Sequence, residues 1–176
     1  YQQRTAQNLL FPLTSAVEFR LSKANRKTTE TQTNQLLYLL KASKIFNLNQ
    51  KNSFYFRFQA QGIDSDTYLQ NELVRFGGIN SIRGFEENSI NATNFGVLAS
   101  EYRYQLGPNL YVHSIIDAAY FKTPTLSDQK LYGFGFGFGL LTESGLLKFN
   151  LANGKVENQN FRFSDSKIQL SLTATF

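Results

Sequence analysis

Cysteine, methionine and tryptophan are absent from this chain of 176 residues, and histidine occurs once. The absence of cysteine is compatible with many compartments and decides nothing about location. No initiator methionine and no signal peptide stand at Tyr1, which indicates a processed chain or a fragment. No run approaches the roughly 18 apolar residues of a membrane helix, although the alternating strands of a membrane barrel would not produce such a run.

The motifs of common enzymes and cofactor sites are also missing. The sequence contains no phosphate-binding loop, metal-ligand cluster or nucleophile elbow, and His113 has no obvious catalytic partners. The net charge of +5 is spread thinly, and its one basic cluster, Lys23, Arg26 and Lys27, falls in a predicted loop. Nucleic-acid binding would need a basic stripe instead. We therefore expect no catalytic residues, no metal, no cofactor and no nucleic-acid partner.

Aromatic residues are abundant in a chain that is polar on average. Phenylalanine occurs 17 times and tyrosine 9 times, yet the mean hydropathy is −0.31. This combination indicates strands that are apolar on one face and polar on the other. The alternation is clearest at 52–62, 133–140 and 166–176. The apolar positions of the first segment are Phe54, Phe56, Phe58 and Ala60, and those of the last are Ile168, Leu170, Leu172, Ala174 and Phe176.

Eight segments of this character predict eight strands. They lie at 13–23, 35–46, 52–62, 94–106, 110–121, 133–140, 146–154 and 166–176. The second segment contains Leu36 to Leu40, a run that could also begin a short helix. Residues 1–12 are interpreted as a linker or as the end of a preceding strand, and residues 13–176 as one barrel segment.

The predicted connections alternate in length along the chain. Those at 24–34, 63–93 and 155–165 are long, that at 122–129 is intermediate, and those at 47–51, 107–109 and 142–145 are short. Long loops at one end and short turns at the other are typical of outer-membrane barrels, and a soluble sandwich gives no reason for this regularity. We therefore predict an all-β fold, an antiparallel transmembrane β-barrel whose C-terminus lies at the short-turn, periplasmic end.

The longest connection, 63–93, contains Ser81, Ile82, Arg83, Gly84 and Phe85 in succession. Glycines on both sides of Arg83 let the backbone turn sharply. The apolar neighbours of Arg83 gain nothing from solvent, so a loop folded back into a cavity explains them better than an exposed one. A covered arginine needs an acidic partner. The alternative is a surface turn that happens to contain an arginine.

Four glycines alternate with large apolar residues in the sixth predicted strand. Gly133, Gly135, Gly137 and Gly139 leave one face without side chains, while Phe134, Phe136, Phe138 and Leu140 form the other. Glycine weakens a strand unless something approaches its backbone closely. We therefore expect a bulky group against the bare face, with Phe85 and the backbone of the 63–93 loop as the candidates.

Five segments, in order, resemble those of the superfamily of BamA-like insertases and FhaC-like two-partner secretion transporters, the bacterial surface antigen family. Residues 82–85, Ile-Arg-Gly-Phe, are similar to the (V/I)RG(F/Y) motif of a loop that folds into the barrel lumen. Residues 100–104 resemble the acidic strand segment that follows. Residues 115–119 resemble an F-x-D-x-G segment, with Ala119 in the place of the usual glycine. Residues 135–152 resemble a glycine-rich hairpin, and 166–176, ending in Phe176, the C-terminal insertion signal.

The resemblance implies a fold, a location and partners. Members have a barrel of about sixteen strands preceded by periplasmic POTRA domains, so this chain would be the C-terminal half of such a barrel. It would lie in the bacterial outer membrane and insert or translocate proteins without covalent chemistry. Its partners would be the lipid bilayer, client outer-membrane or secreted proteins, and accessory assembly proteins. The resemblance does not separate an insertase from a two-partner secretion pore.

The resemblance also implies a role for single residues. Glu101 and Asp117 share an inward parity on the two strands after the loop, so we expect Arg83 to pair with at least one of them. Their alternative role is as lumen polar groups solvated by channel water. Phe176 is a recognition residue of the insertion signal, a residue of the aromatic girdle, or both.

Two other functions remain open from the sequence. One is a small structural or adhesive outer-membrane barrel of eight strands, although the lumen of such a barrel is filled by side chains and would not hold a loop of about thirty residues. The other is a soluble all-β enzyme, against which the lack of convergent catalytic residues counts.

Overall fold

The computed structural model describes residues 1–4, 10–11, 13–27, 32–126 and 129–174. Strands and connecting loops make up these ranges, together with one short 3-10 helix, Phe163–Asp165. Within them, no helix is long and apolar enough to cross a membrane. The strands are β1 (Gln2–Arg4), β2 (Leu13–Lys27), β3 (Gln32–Asn47), β4 (Asn52–Ser65), β5 (Val74–Phe76), β6 (Ile90–Ala92), β7 (Asn94–Gln105), β8 (Leu110–Lys122), β9 (Gln129–Thr142), β10 (Gly145–Val156) and β11 (Ser166–Thr173).

Nine of these strands form one antiparallel sheet in the order β1-β2-β3-β4-β7-β8-β9-β10-β11. The predicted all-β, antiparallel fold is therefore confirmed, and the eight predicted strands correspond to β2–β4 and β7–β11. Over the described residues the sheet is open, with β1 and β11 at its edges. Closure into a barrel, its size and its membrane location stay predictions.

The predicted loop at 24–34 is wrong in extent, because the flanking strands continue much further. β2 runs to Lys27 and β3 begins at Gln32, with Lys27 opposite Gln32 in the ladder. The residues in this extension are polar on both faces, so alternation of hydropathy cannot reveal them. The run from Leu36 to Leu40 lies in β3 and forms no helix.

The 63–93 connection also contains more structure than predicted. β4 continues to Ser65, and β5 and β6 pair with each other inside the loop, with Val74 opposite Ala92. Strands of three residues are too short to show a periodic pattern. At the start of the chain, β1 pairs with β2, so residues 2–4 are a strand rather than a linker.

The outer face of the sheet, as we call the side opposite this loop, is apolar and exposed. Cross-strand neighbours on it include Phe58 beside Leu98 and Ile116 beside Phe134. Monomeric soluble proteins rarely expose so continuous an apolar surface. Its exposed members are Val17, Phe19, Leu21, Phe54, Phe56, Phe58, Leu98, Tyr102, Tyr104, Val112, Ile116, Tyr120, Phe134, Phe136, Ile168, Leu170 and Leu172.

The core lies on the opposite, inner face, where the long loop packs against the sheet. Phe76 and Ile82 from the loop pack among residues of the sheet such as Phe95, Val97 and Leu131. Phe76 stacks on Phe95 with ring centroids 4.3 Å apart. A second cluster on this face joins Leu10, Phe11, Ile45 and Tyr111. The core is therefore formed by the sheet, its longest connection and residues 10 and 11.

The connections divide between the two ends of the sheet. The short turns β3–β4, β7–β8 and β9–β10 share one end, which we call the short-turn end. The connection from β4 to β7 starts from the other end, the long-loop end, together with those that precede β9 and β11. This division follows from the antiparallel order, because consecutive connections of a meander fall at alternate ends.

Candidate functional site

Three glycines with positive φ angles let the loop turn towards the inner face of the sheet. Gly77, Gly78 and Gly84 have φ angles of 115°, 94° and 87°, a region that L side chains rarely adopt. Between them, the amide of Gly78 donates to the carbonyl of Ile82 at 3.1 Å, and the amide of Ser81 donates to the carbonyl of Gly78 at 3.1 Å. This compact turn presents the next residue, Arg83, to the sheet.

Arg83 binds Asp117 of β8 through three donors. Its Nε donates to Oδ2 at 2.8 Å, its Nη2 donates to Oδ1 at 2.5 Å, and its backbone amide donates to Oδ2 at 3.0 Å. The first two bonds form a bidentate pair, in which the planar guanidinium group donates two parallel hydrogen bonds to the two oxygens of the carboxylate. The third fixes the loop backbone as well as the side chain, so Asp117 holds both parts of Arg83.

Arg83 also binds the neighbouring strand β7. Its Nη1 donates to Oε1 of Glu101, and its Nη2 donates to the carbonyl of Ser100 at 3.2 Å. The second oxygen of Glu101 accepts a bond of 2.7 Å from Nε of Arg103. The structure thus brings Arg83, Glu101 and Asp117 together, as parity predicts, and adds Arg103. We call the first three residues the arginine clamp.

The clamp is buried, and this decides between the alternatives that the sequence left open for Arg83 and for the two carboxylates. Arg83, Glu101 and Asp117 are 2%, 7% and 1% exposed. Arg83 is therefore not part of a surface turn, and the two carboxylates are bound by guanidinium groups rather than dispersed in channel water. Burial alone would lower the pKa of Arg83, but its hydrogen bonds to Asp117 and the charge of Glu101 outweigh that effect and raise the pKa. Arg83 remains charged.

Strands β7 and β8 meet irregularly beside the clamp. Their ladder pairs Ser100 with Ile116 and Arg103 with His113, and between these pairs side-chain hydroxyls join the strands. Ser100 Oγ donates to the carbonyl of Ile116 at 2.7 Å, and the amide of Tyr102 donates to Oγ of Ser114 at 3.1 Å. Hydrogen bonding therefore continues across the strand segment that carries Glu101.

Arg103 is a member of this site that the sequence did not reveal as one. Its guanidinium lies 4.0 Å from the ring centroid of Tyr55, 4.7 Å from that of Phe11 and 5.5 Å from that of Tyr111. Cations are attracted to aromatic faces, so these rings help to compensate the buried charge. Parity alone places Arg103 on the inner face, but two of its aromatic partners, Phe11 and Tyr55, come from distant segments and carry no local signal.

The bare face of β9 is occupied, but mostly not by the loop. A Cβ on Gly133 would collide with the carbonyl oxygen of Arg83, which is the expected loop contact. A Cβ on Gly139 would collide with the ring of Tyr111, and one on Gly135 with the backbone of β10. The expectation that the loop backbone fills this face thus applies to Gly133 alone. At Gly137 and Gly139 a side chain of β8 crosses β9, whereas at Gly135 the close neighbour is backbone of β10.

Gly137 shows how such a crossing works. A Cβ there would lie 2.8 Å from Cε1 of His113 and 2.5 Å from Oδ1 of Asn150. The imidazole of His113, on β8, hydrogen-bonds Asn150, on β10, through Nε2 at 2.9 Å. A side chain at position 137 would stand in this path. His113 and Asn150 were not predicted as site residues, and their contact spans a strand that separates them.

Residues 81–86, which we call the strap, continue across the sheet to its edge. At one end, Arg57 of β4 donates to the carbonyl of Ser81 at 2.8 Å. At the other, Gln169 of β11 donates to the carbonyl of Phe85 at 2.9 Å, and Lys167 lies 2.9 Å from Glu86. The ring of Phe85 lies against Gly154 of β10, where a Cβ would be 2.7 Å from its Cε2. The strap therefore touches strands from β4 to β11.

The structure describes three of the four predicted insertion-signal residues. Ile168, Leu170 and Leu172 lie on the outer face of β11 and are exposed. Phe176 lies outside the described residues, so its predicted role stays a prediction. The inner-facing residues of β11, by contrast, contact the strap.

The arrangement restrains a loop against the sheet. In the part of the chain that the structure describes, no group of three or more histidine, cysteine, aspartate or glutamate residues is placed to hold a metal ion. Both clamp carboxylates are engaged by guanidinium groups, so what the site can do is hold the strap against the sheet. No family model matches this chain, and no curated protein matches it.

Proposed function

We propose that this chain is part of an outer-membrane β-barrel of the BamA-like and FhaC-like superfamily, and that it takes part in inserting or translocating proteins. The observation that carries the proposal is the arginine clamp. The longest loop carries a sequence similar to (V/I)RG(F/Y). Its arginine, Arg83, is 2% exposed and lies between the carboxylates of Glu101 on β7 and Asp117 on β8. Five sequence segments, in order, resemble those of that superfamily. The clamp joins three of them, 82–85, 100–104 and 115–119, through the ion pairs of Arg83 with Glu101 and Asp117.

The outer face supports a membrane location for this sheet. Its exposed phenylalanine, leucine and isoleucine side chains would contact lipid, while the charged clamp stays on the inner face. Antiparallel barrels in outer membranes have this distribution, with short periplasmic turns and longer external loops. The proposed orientation places the short-turn end, and with it the end of β11, on the periplasmic side.

The open edges of the sheet favour a larger barrel of about sixteen strands, of which this chain supplies the C-terminal half. The loop between β4 and β7 covers the inner face, and a barrel closed from eight strands would have a lumen filled by side chains instead. In the larger barrel, further strands would continue beyond β1.

The proposed mechanism uses hydrogen bonding and no covalent step. An edge strand such as β11 carries backbone donors and acceptors that a client strand can pair with. The strap fixes the inner side of β11 through Gln169 and Lys167, so it would hold that edge in position while the client pairs. Client outer-membrane proteins or secreted proteins, with accessory assembly proteins, are the proposed partners.

The test uses the full-length parent protein in cells that depend on it. Arg83→Ala should lower the folded amount of client outer-membrane proteins, or the amount of a secreted client, to a small fraction of the parent level. Arg75→Ala is the matched control, since Arg75 lies on the same loop with an exposed side chain. Normal client levels with a correctly inserted Arg83→Ala protein would overturn the proposal. Recovery of the parent in the soluble fraction would overturn it as well.

A further inference from the structure

A second polar site lies on the inner face near the short-turn end. It is a cavity of about 150 Å³ between β3, β4, β7, β8 and β10, with residues 10 and 11 beside it. Its apolar walls include Phe11, Ile45 and Leu146, and its polar walls include Arg103, Tyr111 and Lys148. The cavity is therefore lined by hydrogen-bond donors on one part and hydrocarbon on another.

The hydroxyl of Tyr111 lacks a partner in this cavity. Tyr111 is fully buried, and its ring and hydroxyl lie over Gly139 of β9. Among the described residues no group hydrogen-bonds this oxygen. A buried hydroxyl without a partner destabilises the fold, so such groups are normally satisfied.

Lys148 stands at the same place with a similar deficit. It lies opposite Gly139, the residue covered by the ring of Tyr111, in the β9–β10 ladder, and it lines the same cavity. No carboxylate of the described residues forms an ion pair with it. The nearby carboxylate, Glu101, is already shared between Arg83 and Arg103.

The charge balance of this part of the inner face is therefore incomplete. Arg57, Arg83, Arg103 and Lys148 bring four cationic side chains, while Glu101 and Asp117 bring two anionic ones. Charges shielded from water in proteins are normally paired, and Lys148, which is half-buried, is the cation beside the unpartnered hydroxyl. A group that completes the site must be an anion that accepts hydrogen bonds.

We propose that this cavity binds a carboxylate group attached to a short apolar chain. The two carboxylate oxygens would accept hydrogen bonds from the Tyr111 hydroxyl and the Lys148 ammonium group, with Arg103 close by. The hydrocarbon part of the ligand would contact Phe11, Ile45 and Leu146. A phosphate or sulfate ion would leave these apolar walls without a matching surface. The site does not depend on the proposed membrane function, because it involves no lipid, client or additional strand.

The first experiment measures binding of butyrate to the full chain in detergent by calorimetry, with butyramide as an uncharged ligand of nearly the same shape. Butyrate should bind at least tenfold more tightly than butyramide, because hydrogen bonds to a charged group are stronger than neutral ones. Equal affinity of the two ligands would show an apolar cavity without anion recognition and would overturn the proposal.

The second experiment removes each donor in turn. Lys148→Met and Tyr111→Phe keep most of the side-chain volume, and each should weaken butyrate binding about tenfold or more. Lys155→Met is the matched control on the same strand, at its long-loop end, and should bind butyrate like the parent. If Lys148→Met does not fold, Tyr111→Phe still decides, since it removes a single oxygen. Unchanged butyrate affinity in Tyr111→Phe would sink the proposal.

Discussion

Arg83 is held by two carboxylates and a carbonyl group that come from two different strands. Removing one partner from a buried ion pair destabilises a protein by about 3–5 kcal/mol, because the remaining charge stays buried without compensation. The pair as a whole contributes far less than that, since both ions lose hydration. A single substitution at the clamp is therefore expected to lower the free energy of unfolding by more than the ion pair itself contributes to it.

Arg83→Ala should lower the free energy of unfolding by about 3–5 kcal/mol, since Asp117 and Glu101 would keep buried negative charge. Urea unfolding of the folded protein in detergent measures this change. Arg75→Ala, on the same loop but exposed, should change the free energy of unfolding by no more than about 0.5 kcal/mol. Equal stability of the two variants would contradict the clamp.

Arg83→Lys should restore only part of the stability lost in Arg83→Ala. A lysine keeps the charge but has one ammonium group, and it cannot donate in the two-pronged geometry that Arg83 uses on Asp117 while also reaching Glu101. The urea concentration at the unfolding midpoint should therefore be highest for the parent, lower for Arg83→Lys and lowest for Arg83→Ala. A lysine variant as stable as the parent would show that charge alone is sufficient.

Gly133 and Gly96 provide a matched pair of glycine substitutions in neighbouring parts of the sheet. A Cβ at Gly133 would collide with the carbonyl oxygen of Arg83, whereas a Cβ at Gly96 would meet nothing within 4 Å. Gly133→Ala should lower the free energy of unfolding by about 1–3 kcal/mol. Gly96→Ala should leave it unchanged or raise it slightly, because alanine restricts the unfolded chain. The reverse order would mean that the strap does not lie against β9.

Among the elements, β11 is an edge strand whose inner side is covered by the strap and whose outer side is exposed. The ion pair between Lys167 and Glu86 is exposed, so it contributes little to stability. The hydrogen bond from Gln169 to the carbonyl of Phe85 is better shielded. Local opening of β11 should therefore depend more on Gln169 than on Lys167.

Gln169→Ala should increase hydrogen exchange at the β11 amides several-fold, because a typical hydrogen bond contributes about 0.5–1.5 kcal/mol. Exchange measured by mass spectrometry on β11 peptides tests this, with β8 peptides as an internal reference. Thr173→Ala, an exposed position on the same strand, should leave β11 exchange unchanged. Equal exchange in both variants would show that the strap does not restrain the edge.

For the molecule as a whole, the distribution of side chains between the two faces was predictable and much of the packing was not. Strict alternation assigned residues such as Phe56 and Phe136 to one face, since a strand has no other periodicity. The same parity placed Glu101 and Asp117 where Arg83 meets them. The sequence did not predict the aromatic partners of Arg103 or the groups that lie against Gly135, Gly137 and Gly139. These contacts join segments far apart in the chain, and no local pattern encodes which distant side chain fills a gap.

The proposed membrane location predicts where single cysteines will react, and the chain has no native cysteine to interfere. In membranes, Phe56→Cys and Phe136→Cys should react with lipid-soluble maleimides and resist water-soluble ones, because both side chains lie on the outer face. Leu69→Cys, on the exposed part of the long loop, should react with water-soluble maleimides. Water-soluble labelling at all three positions would exclude lipid contact by the outer face.

The strap joins residues that are made at very different times during synthesis. Arg83 precedes Glu101 by 18 residues and Asp117 by 34, and Phe85 precedes its partner Gln169 by 84. Closing such separations costs chain entropy before any contact forms, which slows folding. Arg83 must therefore remain hydrated while the later strands are still unfolded. Burial of the strap becomes a late event, which waits until β11 has been made and packs against Phe85.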